Sequence, residues 1–195
     1  TCGLTHVGGP EEDEYGTRGL HDQISTCAAE IIQIKQPDLM TGDREMFISG
    51  IIKQGHPLGV NLELRRTIRC ILGEPTLYLT DEVVNVGNID APHMLLYHFN
   101  FGYPLIDKGT ELLWEGDWSA REKGENNKIF KEGNSFKICQ SPLAAHNGAG
   151  EEAAFIDIAY DTDYVSRCGI QNKKLGIALA LTFDKRQLPW LTNWQ

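Results

Sequence analysis

Short apolar or alternating runs, each closed by turn-forming residues, recur along the whole sequence, and no other pattern in it limits the fold as strongly. The runs are AAEIIQIK, EMFISGII, NLELRRTIRCIL, TLYLTDEVVNV, HMLLYHFNF, SFKICQ, AAFIDIAY and LGIALALTF. They are rich in β-branched and aromatic side chains, and several alternate apolar with polar at the period of two that a half-buried strand requires. Between them stand QPDLMTGD, KQGHPLG, LGEPT, NVGNIDAP, IDKGT and AHNGAGE. These segments are built from the residues that turns select. No stretch of helical length carries a 3.6-residue period with caps at both ends. Strands at this spacing predict an all-β fold, either a sandwich or a large antiparallel sheet.

The 195 residues are enough for one sizeable core. No repeat or low-complexity segment divides them, so residues 1–195 are expected to form a single domain. The charged, glycine-rich tract WEGDWSAREKGENNKIFKEGN is expected as an exposed excursion between strands. A formal net charge of −9 argues against nucleic acid or an anionic membrane as the main partner, since both are polyanions. No apolar run approaches the roughly 20 residues that span a bilayer, and no signal peptide is visible. Cys2, Cys27, Cys70, Cys139 and Cys168 are scattered without a C-x-x-C pair. That usage predicts reduced thiols in a cytoplasmic protein. The chain starts at Thr1, and both TCGLTHVGGP and LPWLTNWQ read as interrupted elements. The sequence is therefore expected to be the central part of a longer chain.

Two segments concentrate polar groups where strand chemistry does not ask for them. In HMLLYHFNFGYPL, a period of two places His98 and Asn100 on the face of Met94 and Leu96. Two readings stand: a core that gives way to a pocket, with the Gly102-Tyr103-Pro104 turn at its rim, or a core histidine satisfied by a carbonyl. In YGTRGLHDQIS, Arg18, His21 and Asp22 lie within one glycine-flanked loop. Such a loop presents side chains to a ligand, or is simply a polar hairpin loop. His6, His56 and His146 stand in glycine- or proline-containing loops and are expected to be solvated. Glu151 and Glu152, ahead of a strand, have two readings: solvated acids, or acids placed at a strand mouth to meet hydroxyls. No metal-ligand spacing, phosphate-binding loop or other cofactor motif is present, so no metal and no cofactor are expected.

TCGLTHVGG, RGLHDQIS, DEVVNVGNIDAPHMLLYHFNFGYPL and LPWLTNW resemble the galactose-mutarotase-like (aldose 1-epimerase-like) superfamily, and within it the DUF4432 branch. The resemblance implies a β-supersandwich of large antiparallel sheets. It also implies a carbohydrate-active protein that interconverts sugar anomers by acid/base ring opening, with a small-molecule sugar as its partner. Val84, Asn85, Gly87, Pro92 and His98 follow the family's order, although the Phe99-Asn100 pair comes sooner after the histidine than in true mutarotases. By resemblance His98 is the general acid, and His21 is the substrate-binding histidine of the family's LHG motif, with Asp22 in place of the glycine. Glu152, three residues before Phe155, takes the place of a sugar-contacting aspartate. Arg18, Asn100 and Tyr103 complete the expected substrate contacts, and Trp114 and Trp118 are further aromatic faces for a sugar. The family's glutamate base lies beyond the region resembling LPWLTNW, past Gln195. A non-catalytic sugar-binding protein, or a different sugar isomerase or lyase, is the alternative on the same fold.

Overall fold

The alternation of residues 28–86 is realised as one antiparallel sheet in the computed structural model of the chain. The structure describes every residue except Thr1, Tyr15 and 142–149, with only the backbone of Asp13. His146 and most of the AHNGAGE turn lie outside the described residues. The chain clusters into two units, Thr1–Phe99 and Asn100–Gln195.

The first unit runs through β1 (Cys2–Leu4), β2 (Glu11–Asp13), β3 (Gly16–Arg18), β4 (Ala29–Lys35), β5 (Glu45–Gly55), β6 (Asn61–Ile71), β7 (Leu77–Asn85) and β8 (Met94–Leu96). Strands β4, β5, β6 and β7 pair in sequence order, β1 pairs with β8, and β2 with β3. The register puts Ile52, Leu64 and Val83 abreast on one face. Leu62 and Leu64 are buried on that face against Leu4 of β1, Ile24 and Leu95 of β8. Gly3 permits this close packing: its φ is +123°, and a Cβ there would stand 2.1 Å from the Met94 carbonyl oxygen.

One step further along the same face, Arg66 is paired across strands with Asp81. Its Nε and Nη2 donate to the two carboxylate oxygens at 2.7 and 2.6 Å, and the Tyr97 hydroxyl adds a third donor at 2.5 Å. Burial, and then the bond to Asp81, push the Tyr97 phenol well above its ordinary range. Beyond this cluster the face carries Ile48, Ile68, Leu77 and Leu79, all exposed.

The second unit contains β9 (Glu111–Leu113), β10 (Gly116–Ala120), β11 (Ala153–Ile158), β12 (Val165–Asn172), β13 (Ile177–Asp184) and β14 (Leu191–Trp194), with a short 3-10 turn at Gly124–Asn126. They form two antiparallel three-stranded sheets, ordered β10-β11-β14 and β13-β12-β9. Trp114, Ile156 and Ile158 form the buried core, with Leu112, Cys168, Phe183 and Leu191 packed on it from strands of both sheets. The all-β, antiparallel expectation holds.

Several local expectations do not. HMLLYHFNF is strand only over Met94–Leu96, so His98 and Asn100 follow the strand rather than share a face of it. SFKICQ makes one isolated bridge, Ile138 to Glu111, instead of a strand. The tract from Trp114 to Asn134 is no solvated excursion: it contains β10, and Trp114 and Phe130 are buried. Phe136 meets Trp118 in a T-shaped pair at 4.7 Å and stacks with Trp114 at 6.2 Å. Trp114 is thereby removed as a surface for sugar, since its ring is a core member. β12 was not expected, because Ser166 and Asn172 place polar groups at its buried positions. LPWLTNWQ contains β14, which pairs along its length with β11.

All five cysteines are free, and burial pushes the Cys168 thiol up to about 11. Among the described residues no helix is long and apolar enough to cross a membrane.

Leu64→Ala is expected to cost about 2–5 kcal/mol, the usual loss for a fully buried leucine. Leu77→Ala, on the exposed end of the same face, is expected to stay within about 0.5 kcal/mol. Urea midpoints of the two variants against the wild type check both.

Candidate functional site

The loop after β3 folds around a buried carboxylate. Arg18 ends β3 and is buried, and His21 and Asp22 follow with φ of +57° and +59°. This left-handed conformation is one that glycine adopts freely and aspartate tolerates, so the aspartate fits where the resembled motif has glycine. His21 is fixed on three sides: its N–H donates to the Gly8 carbonyl at 2.9 Å, its carbonyl accepts from Gly3, and its Nδ1 accepts from the Gly8 N–H at 3.2 Å. With Nδ1 an acceptor, the neutral ring carries its proton on Nε2.

The Asp22 side chain is 6% exposed. Its Oδ2 accepts from the Thr5 N–H at 3.1 Å, from the Thr5 hydroxyl, and from Gln54 Nε2 at 2.6 Å, and Arg18 Nη1 lies 3.9 Å away. Thr5 Oγ1 in turn accepts from Arg18 Nη1 and from Gln54 Nε2. Burial alone would raise the Asp22 pKa. The Thr5 and Gln54 hydrogen bonds and the Arg18 charge outweigh it and hold the carboxyl below its ordinary value. All of these donors reach one oxygen. Among the described residues none reaches Oδ1.

Asp22 lines a pocket of about 230 Å³ together with Thr5, Arg18, Gln54 and His56. The pocket is roofed on one side by the β5–β6 turn. The His56 N–H donates to Val60, Gly59 donates back to the His56 carbonyl, and Asn61 Nδ2 binds the carbonyls of His56 and Gly59. Glycine at position 59 relieves a tight approach, since a Cβ there would lie 3.0 Å from the His56 Cβ. The His56 ring has no hydrogen-bond partner among the described residues. Gln54 and Thr5 were not singled out from the sequence, and His56 was named only as a solvated loop histidine. The available signal was Gln54, a polar residue two positions from Ile52 on the otherwise apolar side of β5.

The expected site residues divide between the units. In the first, Arg18 lines the pocket, His21 sits beside it in sequence, and His98 is half-buried after β8 and is not among the lining residues. In the second, Asn100 is exposed and Tyr103 is 85% exposed. Glu152 is 1% exposed, and its carboxylate accepts the N–H groups of Lys128 and Ile129 at 2.8–2.9 Å. Of the loop histidines, His56 is exposed, but His6 is buried rather than solvated. Its Nε2 donates to the Gly9 carbonyl at 2.6 Å and its Nδ1 lies 3.2 Å from the Glu11 carboxylate. Among the described residues no three His, Cys, Asp or Glu side chains form a group able to hold a metal ion.

The family described as "Domain of unknown function (DUF4432)" matches residues 1–195. A comparison with curated proteins found no match. Among solved structures, the chain is similar to a Klebsiella pneumoniae protein provisionally named an aldose 1-epimerase, at a TM-score of 0.83 and 22% identity. The match covers 99% of this chain and 48% of that one, so the chain spans about half the length of its structural relative. At this identity the likeness establishes the fold: it is that of the aldose 1-epimerase-like protein.

Asp22→Ala is expected to orphan the Thr5 and Gln54 donors at about 1–3 kcal/mol, besides placing alanine at positive φ. The carboxyl is more acidic folded than unfolded. Its stabilisation is therefore complete above the unfolded pKa of about 3.9 and fades as pH falls through the lower, folded value. Urea midpoints measured from pH 2 to 7 should show that acid loss in the wild type and a smaller one in Asp22→Asn.

Proposed function

The chain belongs to the DUF4432 family, and from that premise we propose that it is a carbohydrate-active protein of the aldose 1-epimerase type. The observation that carries the reading is the pocket beside β3, lined by the Asp22 carboxylate together with the hydrogen-bonding side chains of Thr5, Arg18, Gln54 and His56. A sugar is recognised by such an array, because each hydroxyl both donates and accepts. The likeness in fold to a protein provisionally named an aldose 1-epimerase supports the same reading.

Anomer interconversion opens a hemiacetal. A base takes the proton from the C1 hydroxyl, the bond from C1 to the ring oxygen breaks as the C1 carbonyl forms, and an acid protonates the ring oxygen. Rotation about C1–C2 and reversal of both transfers close the ring as the other anomer. In this proposal His98 is the acid, since an imidazole exchanges a proton near neutral pH. Arg18 and the His21–Asp22 loop hold the sugar.

A binding protein without catalysis is the second reading. It is favoured by the absence of His98 from the pocket lining and by the mutual hydrogen bonding of Asp22, Thr5 and Gln54. Exchange spectroscopy of sugar anomers separates the two. On the first reading the protein accelerates exchange of at least one aldose, and His98→Asn lowers the rate about 10²- to 10⁴-fold while leaving the urea midpoint unchanged. Ligand shifts without accelerated exchange would favour binding alone.

A further inference from the structure

We infer that β4 is a surface for self-association, on which a second copy of this chain adds its own β4, antiparallel, across a two-fold axis. β4 (Ala29–Lys35) lies at one margin of the four-stranded sheet, and among the described residues its backbone bonds only to β5. Half of a strand's N–H and C=O groups point away from a single neighbour, so an edge of this kind is a template for another strand. Native edges are commonly short or guarded by charge. This one is seven residues long, and Ile31, Ile32 and Ile34 are each more than half exposed.

The pattern of β4 selects the partner. A bulge at Ile32 shifts the register, so that Ile31 stands opposite Gly50 and Ile34 opposite Ile48, two positions on one face of β5. Without the bulge, residues three apart would point to opposite faces. When two copies pair with the axis between Ile32 and Gln33, Ile31 of each meets Ile34 of the other on that apolar face. Glu30 and Lys35, which stand opposite Ile51 and Phe47 on the other face, meet in the same register. Lys35 is already shared by Asp43 and Glu45, so the isoleucines carry the contact. Ile34 is abreast of Ile48, Ile68 and Leu79, each more than a third exposed. Pairing therefore joins two exposed apolar rows and takes their shared margin out of water. The other edge of the sheet, β7, carries Asp81 and Glu82 at its middle, where two copies would set like charges against each other. A two-fold contact through β4 closes on itself. Such a ribbon is far smaller than the roughly 20–30 residues a side of a standard interface, so the dimer is expected to depend on concentration.

Sedimentation velocity of the full chain over a concentration range should show monomer giving way to dimer. Hydrogen exchange of the unmodified chain at the two ends of that range should show slower exchange within Ile31–Ile34 in the dimer. Two double variants test the register, one with Ile31→Lys and Ile34→Lys, the other with Ile31→Glu and Ile34→Glu. Both positions are exposed, so the urea midpoints should hold; if they fall, the hydrogen exchange decides alone. Each variant by itself sets like charges opposite one another and should weaken the dimer roughly tenfold or more. An equimolar mixture of the two should recover it. A monomer at every concentration, or exchange in β4 indifferent to association, would overturn the inference. So would folded variants that dimerise as well as the wild type, or whose mixture stays monomeric.

Discussion

A carboxylate taken out of water must recover its lost hydration from fixed donors, or it will not stay ionised and buried. Each unit of this chain is organised around meeting that requirement. In the first, Asp22 draws the start of the chain (Thr5), the end of β3 (Arg18) and the end of β5 (Gln54) to a single oxygen. Asp81 gathers Arg66, on both of its oxygens, and Tyr97 further along the sheet. In the second, Glu152 gathers the backbone N–H groups of Lys128 and Ile129. The strands supply registers, but it is these acids that decide where the intervening loops can rest.

The same requirement shapes the pocket. A side chain whose two oxygens were both satisfied internally would be a structural post and nothing more. Among the described residues Asp22 is held through one oxygen, so its rigidity comes from the protein and not from a ligand. Rigidity of this kind lowers the entropy lost when a ligand binds. The β5–β6 turn contributes in a similar way: Asn61 and the Gly59–His56 hydrogen bond fix the backbone from which the His56 ring projects.

The sheet of β4 to β7 was legible because one face of it is apolar and the other polar, which writes a period of two into the sequence. Where the fold departs from that arrangement, the signal fails. HMLLYHFNF has the composition of a strand, yet the chain leaves the ladder after Leu96, and the Tyr97 hydroxyl bonds to Asp81. The tract after Trp114 reads as solvated because charges dominate it. Three aromatic residues, Trp114, Trp118 and Phe130, nonetheless pack in and around the second core, and the Lys137 ammonium stands over the Trp114 ring at 3.9 Å. Of the site, Arg18 and the His21–Asp22 loop could be picked out as a polar cluster between glycines. Gln54 and His56 could not, because they reach the pocket through strand pairing, which a single sequence does not reveal.

The two consecutive left-handed residues, His21 and Asp22, bear on how relatives of this chain are recognised. A search pattern that demands glycine after the histidine treats a backbone shape as though it were an amino acid. The shape can be inherited by glycine, asparagine or aspartate, and each leaves a different chemical group in the same spot. Lineages that keep the loop but exchange that one residue would retain the fold while changing the chemical group that lines the pocket.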